Sequence, residues 1–236
     1  MNVNNIINDY EIAIRKRINK RIPLNFIQSN ICSDFYVAGN SLNKEAPNDI
    51  DIFPIDKKPF EICSWKSSNF SDSIKVICKT KNAITTKICQ NDVFYTVQFC
   101  NYFHESLKDL VESFDFSHVQ VGAEIRRNNL TYPVYFSEKY ILSKMIQSTE
   151  YVGSEYPLSS LVRMAKYIKR GDFAGKSYIF SMFKILNDII ERGFFNYQDF
   201  KDQLDAVDLG LLPEDFQEMN KDDMLMKLFK NLSHKV

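Results

Sequence analysis

Asp49 and Asp51 flank Ile50 in the run Asn48-Asp49-Ile50-Asp51-Ile52-Phe53. Side chains alternate across an extended strand, so this segment turns both carboxylates to one side and sends Ile50 and Ile52 to the other, into a core. Two hard oxygen ligands at that spacing suit magnesium, which keeps its remaining positions for water and substrate phosphates. Upstream, the β-prone run Phe35-Tyr36-Val37-Ala38 meets Gly39-Asn40-Ser41. A glycine there lets the backbone approach a polyphosphate closely, and the N–H groups of such a turn, with the Ser41 hydroxyl, can donate to phosphate oxygens. A cation-holding pair and a phosphate-receiving turn are the two halves of a site for chemistry on phosphates.

The order of strand, Gly-x-Ser turn, short connection and Asp-apolar-Asp-apolar strand resembles the signature of the DNA polymerase β-like nucleotidyltransferases, over about residues 30 to 125. The resemblance implies an α+β head with a small mixed sheet, and a reaction in which a hydroxyl attacks the α-phosphate of a nucleoside triphosphate and pyrophosphate leaves. It also implies two Mg2+ ions, replaceable by Mn2+, about 3.5–4 Å apart and stabilising the attacking and departing oxygens. Asp49 and Asp51 are the expected ligands, and Gly39, Asn40 and Ser41 the expected nucleotide-binding turn. Asp115, on the run Phe114-Asp115-Phe116-Ser117-His118-Val119-Gln120, is the expected third catalytic and metal-binding carboxylate, its competing reading being a cap on a helix-strand connection. Gln98, in Tyr95-Thr96-Val97-Gln98-Phe99, is the alternative occupant of that position, and the third acid is then missing. Asp51, or the third acid where present, would take the acceptor proton. Two features depart from the pattern: Asn40 stands where the family has a second glycine or a serine, and the Ser41–Asp49 connection is short.

The elements that must position these residues are legible at coarse grain. Ile6, Ile7, Tyr10, Ile14 and Ile18 fall near helical spacing among Arg15, Lys16, Arg17, Lys20 and Arg21, which predicts an amphipathic helix ended by Pro23. Further β-prone runs at 73–78, 83–89, 93–99 and 114–121, with a helix over His104–Glu112, complete an α+β pattern. From about Ser137 apolar residues recur at helical spacing. Gly171 and Gly193 read as helix C-caps and Pro213 as the opening of a last helix reaching about Leu232. The expected organisation is a catalytic domain over 1–135 and a helical bundle over 136–236.

In the helical half, Pro157 to Phe173 is similar to the arginine-rich helix that follows the catalytic head of bacterial poly(A) polymerases and CCA-adding enzymes. Arg163, Lys166 and Arg170 share one face and are expected to meet the triphosphate or an acceptor RNA backbone, with Tyr167 stacking on a base. The competing reading is a solvated helix face with Tyr167 in the core. The basic cluster Arg15–Arg21 is a second candidate RNA-facing surface. The residues after Ser41, Leu42-Asn43-Lys44, lack the arginine-aspartate pair of the tRNA-end enzymes, so the chain is not assigned to them.

Composition narrows the field further. Of 236 residues, 44% are hydrophobic and 14% aromatic, enough to fill a core, and 30 basic residues balance 30 acidic ones, so any nucleic-acid contact must come from local patches. Cys32, Cys63, Cys78, Cys89 and Cys100 are odd in number without a C-x-x-C pair, which disfavours a disulfide framework or zinc site and fits reduced thiols in a cytoplasmic protein. His104, His118 and His234 are scattered, and His104 and His118 are expected to be structural. No signal peptide or membrane span is visible, and no P-loop, G-x-G-x-x-G, H-E-x-x-H or nucleophile elbow occurs. The expected function is transfer of a nucleoside monophosphate from an NTP to a hydroxyl, by preference an RNA (tRNA) 3′ end, in RNA processing or as a toxin or defence protein. The alternative is a catalytically degenerate relative that binds nucleotide or protein as a regulator.

Overall fold

The structure is a computed structural model that describes residues 3–43, 49–56, 60, 69–71, 73–79, 83–127, 132–193, 196–204, 223, 226 and 230. It divides into two compact units, Met1–Met145 and Ile146–Val236. In the first unit the described elements run α1 (Val3–Arg21), α2 (Leu24–Asn30), β1 (Phe35–Ala38), α3 (Asn40–Asn43), β2 (Ile50–Pro54), β3 (Asn69–Ser71), β4 (Ile74–Lys79), β5 (Ala83–Gln90), β6 (Val93–Cys100), α4 (Leu107–Glu112), a 3-10 turn (Ser117–Val119), β7 (Val121–Ile125), β8 (Val134–Phe136) and α5 (Glu138–Met145). The second unit contains α6 (Pro157–Lys169), α7 (Tyr178–Arg192) and α8 (Tyr197–Leu204). Most of the helix expected to begin at Pro213 lies outside the described residues, although 223, 226 and 230 within it are helical; Cys63 and His234 lie outside them as well.

The eight strands form one sheet in the order β3-β4-β5-β6-β2-β1-β7-β8. It is mixed: β2 and β6 run parallel, and the remaining neighbours are antiparallel. The parallel pairing needs a crossover, and β3–β5 with their connections supply the chain for it. Both faces of the central strands are covered, so β1 is buried at all four positions. Phe35 and Val37 join Ile50, Ile52, Val97, Phe99, Val121, Ala123 and Ile125 in one core, sealed by Ile14 and Ile18 of α1, Leu24 and Ile27 of α2 and Tyr140 of α5. Tyr36, Ala38, Phe53 and Cys100 face the other way and pack with Leu107, Leu110 and Val111 of α4. Period-2 alternation thus sorts one strand's residues into two cores. Gly122 on β7 lets α4 approach: a Cβ there would lie 2.7 Å from both Leu107 Cδ1 and Val111 Cγ2.

The division between units falls later than the expected 135/136 boundary. β8 pairs with β7 at the sheet edge, and α5 buries Tyr140 in the first core, its ring stacked on Phe136 at 5.4 Å. These residues read as the start of the helical half only because their spacing is helical.

Candidate functional site

The site grows from the end of β1. The strand runs into Gly39, whose φ of +85° belongs to a region that favours glycine, and whose N–H donates to the Val121 carbonyl at 2.9 Å. The chain then tightens into α3, Leu42 N–H donating to the Gly39 carbonyl at 3.2 Å. Ser41 is buried, and its hydroxyl donates to the Ala38 carbonyl at 3.4 Å. Asn40 is half-buried, and its side-chain carbonyl oxygen is enclosed with no hydrogen-bond partner among the described residues. Three side chains from distant helices hold the far end of α3: Arg17 Nη1 donates to the Leu42 carbonyl at 2.9 Å, and Lys144 and Tyr140 both donate to Asn43 Oδ1.

Beside this turn lies β2. Ile50 and Ile52 are buried in the first core, as alternation requires, so Asp51 faces the other side of the sheet and Asp49 precedes it by one pleat repeat. A side chain at position 39 would begin 3.9 Å from Asp51 Oδ2 and 3.7 Å from the Phe114 ring. The glycine turn and the Asp51 carboxylate are therefore in van der Waals reach of each other, with Phe114 closing one flank. Both aspartates are half-buried.

Across the sheet from Asp51 stands an amide. In the parallel pairing of β2 with β6, Gln98 stands directly opposite Asp51, and in the antiparallel pairing of β6 with β5 it stands opposite Thr85. Its Nε2 donates to Thr85 Oγ1 at 3.3 Å. Asp115 is buried in the link between α4 and the 3-10 turn. Among the described residues, no three of His, Cys, Asp and Glu come together as a metal-holding group. At this point Phe114 is turned to Gly39 and Asp115 is enclosed.

The donor set of Asp49 and Asp51 fits magnesium in its usual mode of one or two carboxylates completed by substrate phosphates, rather than a cage made of protein alone. The turn beside Asp51 is where such phosphates would arrive, and the enclosed Asn40 carbonyl is a further oxygen left for a ligand.

Arg163 and Lys166 are half-buried on α6, in the second unit. Tyr167, expected to stack on a base, is buried instead, since it falls on the apolar side of the same helix as Met164. In the basic cluster of α1, Arg15 donates to the Tyr132 carbonyl and Glu11, and Arg17 to the Leu42 carbonyl, so these two guanidinium groups also take part in holding the fold. His118 is buried against Phe116; His104 is half-buried, and its pKa is lowered by burial, partly offset by Asp109. Sequence reasoning missed Lys144, Asn43 and Phe114, whose roles arise from contacts between segments far apart in the chain. No helix among the described residues is long and apolar enough to cross a membrane.

The fold and site define an α+β protein whose mixed sheet carries a carboxylate pair against a glycine turn. The chain belongs to the Gabija anti-defense 2 family, whose model matches residues 4–147. No curated protein matches it. Among solved structures it is similar to a tRNA-processing enzyme in apo form I, with 13% identity and a TM-score of 0.45, covering 95% of this chain and 56% of that one. It is also similar to a CCA-adding enzyme in apo form II, at 12% identity and a TM-score of 0.45, covering 97% of this chain and 53% of that one. A CCA-adding enzyme in complex with CTP matches at 12% identity and a TM-score of 0.42, covering 95% of this chain and 49% of that one. The chain spans about half the length of these proteins.

Proposed function

We propose that this chain is a magnesium-dependent nucleotidyltransferase that counters a host defence by moving a nucleoside monophosphate from an NTP to a hydroxyl acceptor, with an RNA 3′ end as the preferred acceptor. The observation that carries this reading is the contact between the Gly39 turn and Asp51, with Asp49 one pleat repeat away on the same strand. The family name supplies the anti-defence setting.

In this reading the backbone N–H groups of Asn40 and Ser41 donate to the triphosphate, and Gly39 keeps side-chain atoms out of its path. Asp49 and Asp51 would hold Mg2+ or Mn2+, in two sites if the resemblance to polymerase β-like enzymes extends that far. The cation supplies charge neutralisation for the phosphates and the leaving pyrophosphate. Arg17, Lys144 and Tyr140 keep α3 in place. The Gln98 amide has no basicity to offer, so the acceptor proton falls to Asp51. Arg163 and Lys166 are proposed as further triphosphate or RNA contacts.

The test is incubation of the purified chain with magnesium, each labelled NTP in turn and total cellular RNA, beside Asp49→Asn and Asp51→Asn. Label transfer with pyrophosphate release that falls by at least about 100-fold in either variant is expected. Equal activity in the double variant overturns the proposal. The opposition of Gln98 to Asp51 favours a second reading, a regulator that binds nucleotide or protein without transfer. That reading requires the double variant to retain full anti-defence activity in cells.

A further inference from the structure

The sheet extends well beyond the carboxylate pair, and its far side on the same face is solvent-exposed. Alternation assigns this face: Ile84, Thr86 and Ile88 of β5 are buried, so Thr85 and Lys87 point the other way, toward the side that Gln98 and Asp51 occupy. Thr96 pairs with Lys87 across β5 and β6, and Lys75 pairs with Lys87 across β4 and β5, which puts all three on this face. Phe94 lies on it too. The residue is 63% exposed, with Lys87 Nζ 4.5 Å from its ring centroid.

A large aromatic ring left this exposed beside two exposed lysines calls for a partner with both π-faces and negative charge. In a chain of zero net charge, β4, β5 and β6 carry Lys75, Lys79 and Lys87 and neither Asp nor Glu; Asp92 sits in the turn that joins β5 to β6. Because β2 and β6 are parallel, Thr96 and Phe94 continue from Gln98 in the direction that leads from Asp51 to Asp49. Strand rise and spacing put Lys87 about 12 Å and Phe94 about 14 Å from Asp51, a distance of a few nucleotides.

We propose that this face of β4, β5 and β6 is the acceptor-docking surface, and that its occupant is a single-stranded nucleic-acid segment whose bases stack on Phe94 and whose phosphates meet Lys75 and Lys87. Charge complementarity and continuity with the carboxylate pair carry the assignment, and stacking with a basic track is how single strands are held without sequence preference. The inference rests on the nucleotidyltransferase reading for the word acceptor, but the surface is tested by binding alone.

The experiment is fluorescence anisotropy of the full chain with a labelled single-stranded RNA of about a dozen nucleotides, the same sequence as DNA, and an RNA duplex. Lys75→Glu/Lys87→Glu, Phe94→Ala and Asp49→Asn/Asp51→Asn are measured beside the unaltered chain, with thermal unfolding as the folding control. Lys75→Glu/Lys87→Glu is expected to weaken single-strand binding by roughly tenfold or more and to flatten the log-affinity against log-salt slope by about 1 to 1.5. Phe94→Ala is expected to weaken it by at least about fivefold at an unchanged salt slope. The aspartate variant is expected to bind at least as well, because it removes negative charge. RNA and DNA share the recognised chemistry, so binding of either through these residues supports the surface, and the tighter one identifies the acceptor. Single-strand affinity unchanged in both surface variants, no measurable binding, or equal binding of the duplex overturns the proposal. If strands bind through this face while no NTP is consumed, the transfer reading fails and the surface stands. If RNA is extended and Lys75→Glu/Lys87→Glu leaves its KM unchanged, the surface fails and the transfer reading stands.

Discussion

Gly39, Asp51 and Gln98 define what the candidate site can do. At Gly39 a Cβ would meet only ordinary contacts, at 3.7 and 3.9 Å, so space does not demand glycine; the positive φ does. Gly39→Ala is therefore expected to destabilise by about 1–2 kcal/mol through backbone strain, measured as a shift in the urea midpoint at unchanged m-value. Gln98 puts an amide opposite Asp51 on this face. Gln98→Asp places a third hard ligand directly opposite Asp51 and is expected to tighten Mn2+ binding by about tenfold or more, read by calorimetry without any nucleotide. Unaltered Mn2+ affinity in Gln98→Asp would show that Asp49 and Asp51 do not form a cation site. Cys32 illustrates how burial silences a residue. Burial, with Asp34 adding to it, lifts its thiol to about 12, so at pH 8 it is essentially all protonated and a poor nucleophile. Alkylation followed by mass spectrometry is expected to label the exposed Cys78 well before Cys32. The sign for stability follows: a thiol raised in the fold contributes stability that is complete below its ordinary value and lost as pH climbs toward 12.

Between elements, the decisive contacts are those that fix α3 and α4 against the sheet. α4 lies so close to β7 that Gly122→Ala would press a methyl against Leu107 and Val111, and against Ala38 Cβ at 3.3 Å. Leu107 can rotate away, but β-branched Val111 has little freedom on its helix. A loss of about 1–3 kcal/mol is expected, seen as a lowered Tm, because overpacking forces side chains from their rotamers. α3 is too short to be stable alone and relies on Arg17 from α1 and on Tyr140 and Lys144 from α5. The Gly39 turn is thus braced by helices on either side of it in sequence.

At the scale of the whole molecule, the described surface carries apolar residues that the first core does not use. Phe180, Phe183 and Ile190 of α7 are exposed, Phe180 at 75% and Ile190 at 79%. Lysine at both of the latter positions is expected to leave the unfolding free energy within about 0.5 kcal/mol, since no packing is removed. It is also expected to raise solubility near pH 6.8, where the chain has no net charge to keep copies apart. A fall in Tm on making these changes would mean that the α7 face is covered in solution.

Local pattern alone made the carboxylate pair legible. Asp49 and Asp51 alternate with Ile50 and Ile52, so a strand with one buried side could present them in one way only, and Gly39 at the end of a β-prone run marked the turn. Part of the first core could be read the same way, because Ile14 and Ile18 repeat at the helical period of α1; the β-prone run expected over 114–121 instead holds the 3-10 turn Ser117–Val119, and the strand lies at Val121–Ile125. What lay beyond local pattern depended on which strands became neighbours. Gln98 opposes Asp51 only because the chain crosses over to set β6 parallel to β2, and the burial of Asp115 in the link between α4 and the 3-10 turn is likewise a product of packing. Tyr167 looked like a stacking ring and is buried, since helical spacing marks a face without saying what covers it. The basic residues of α1 likewise read as a surface until Arg15 and Arg17 found carbonyls on distant segments. Strand order, register and long-range hydrogen bonds are products of tertiary packing, and they determined which chemistry-bearing residues meet.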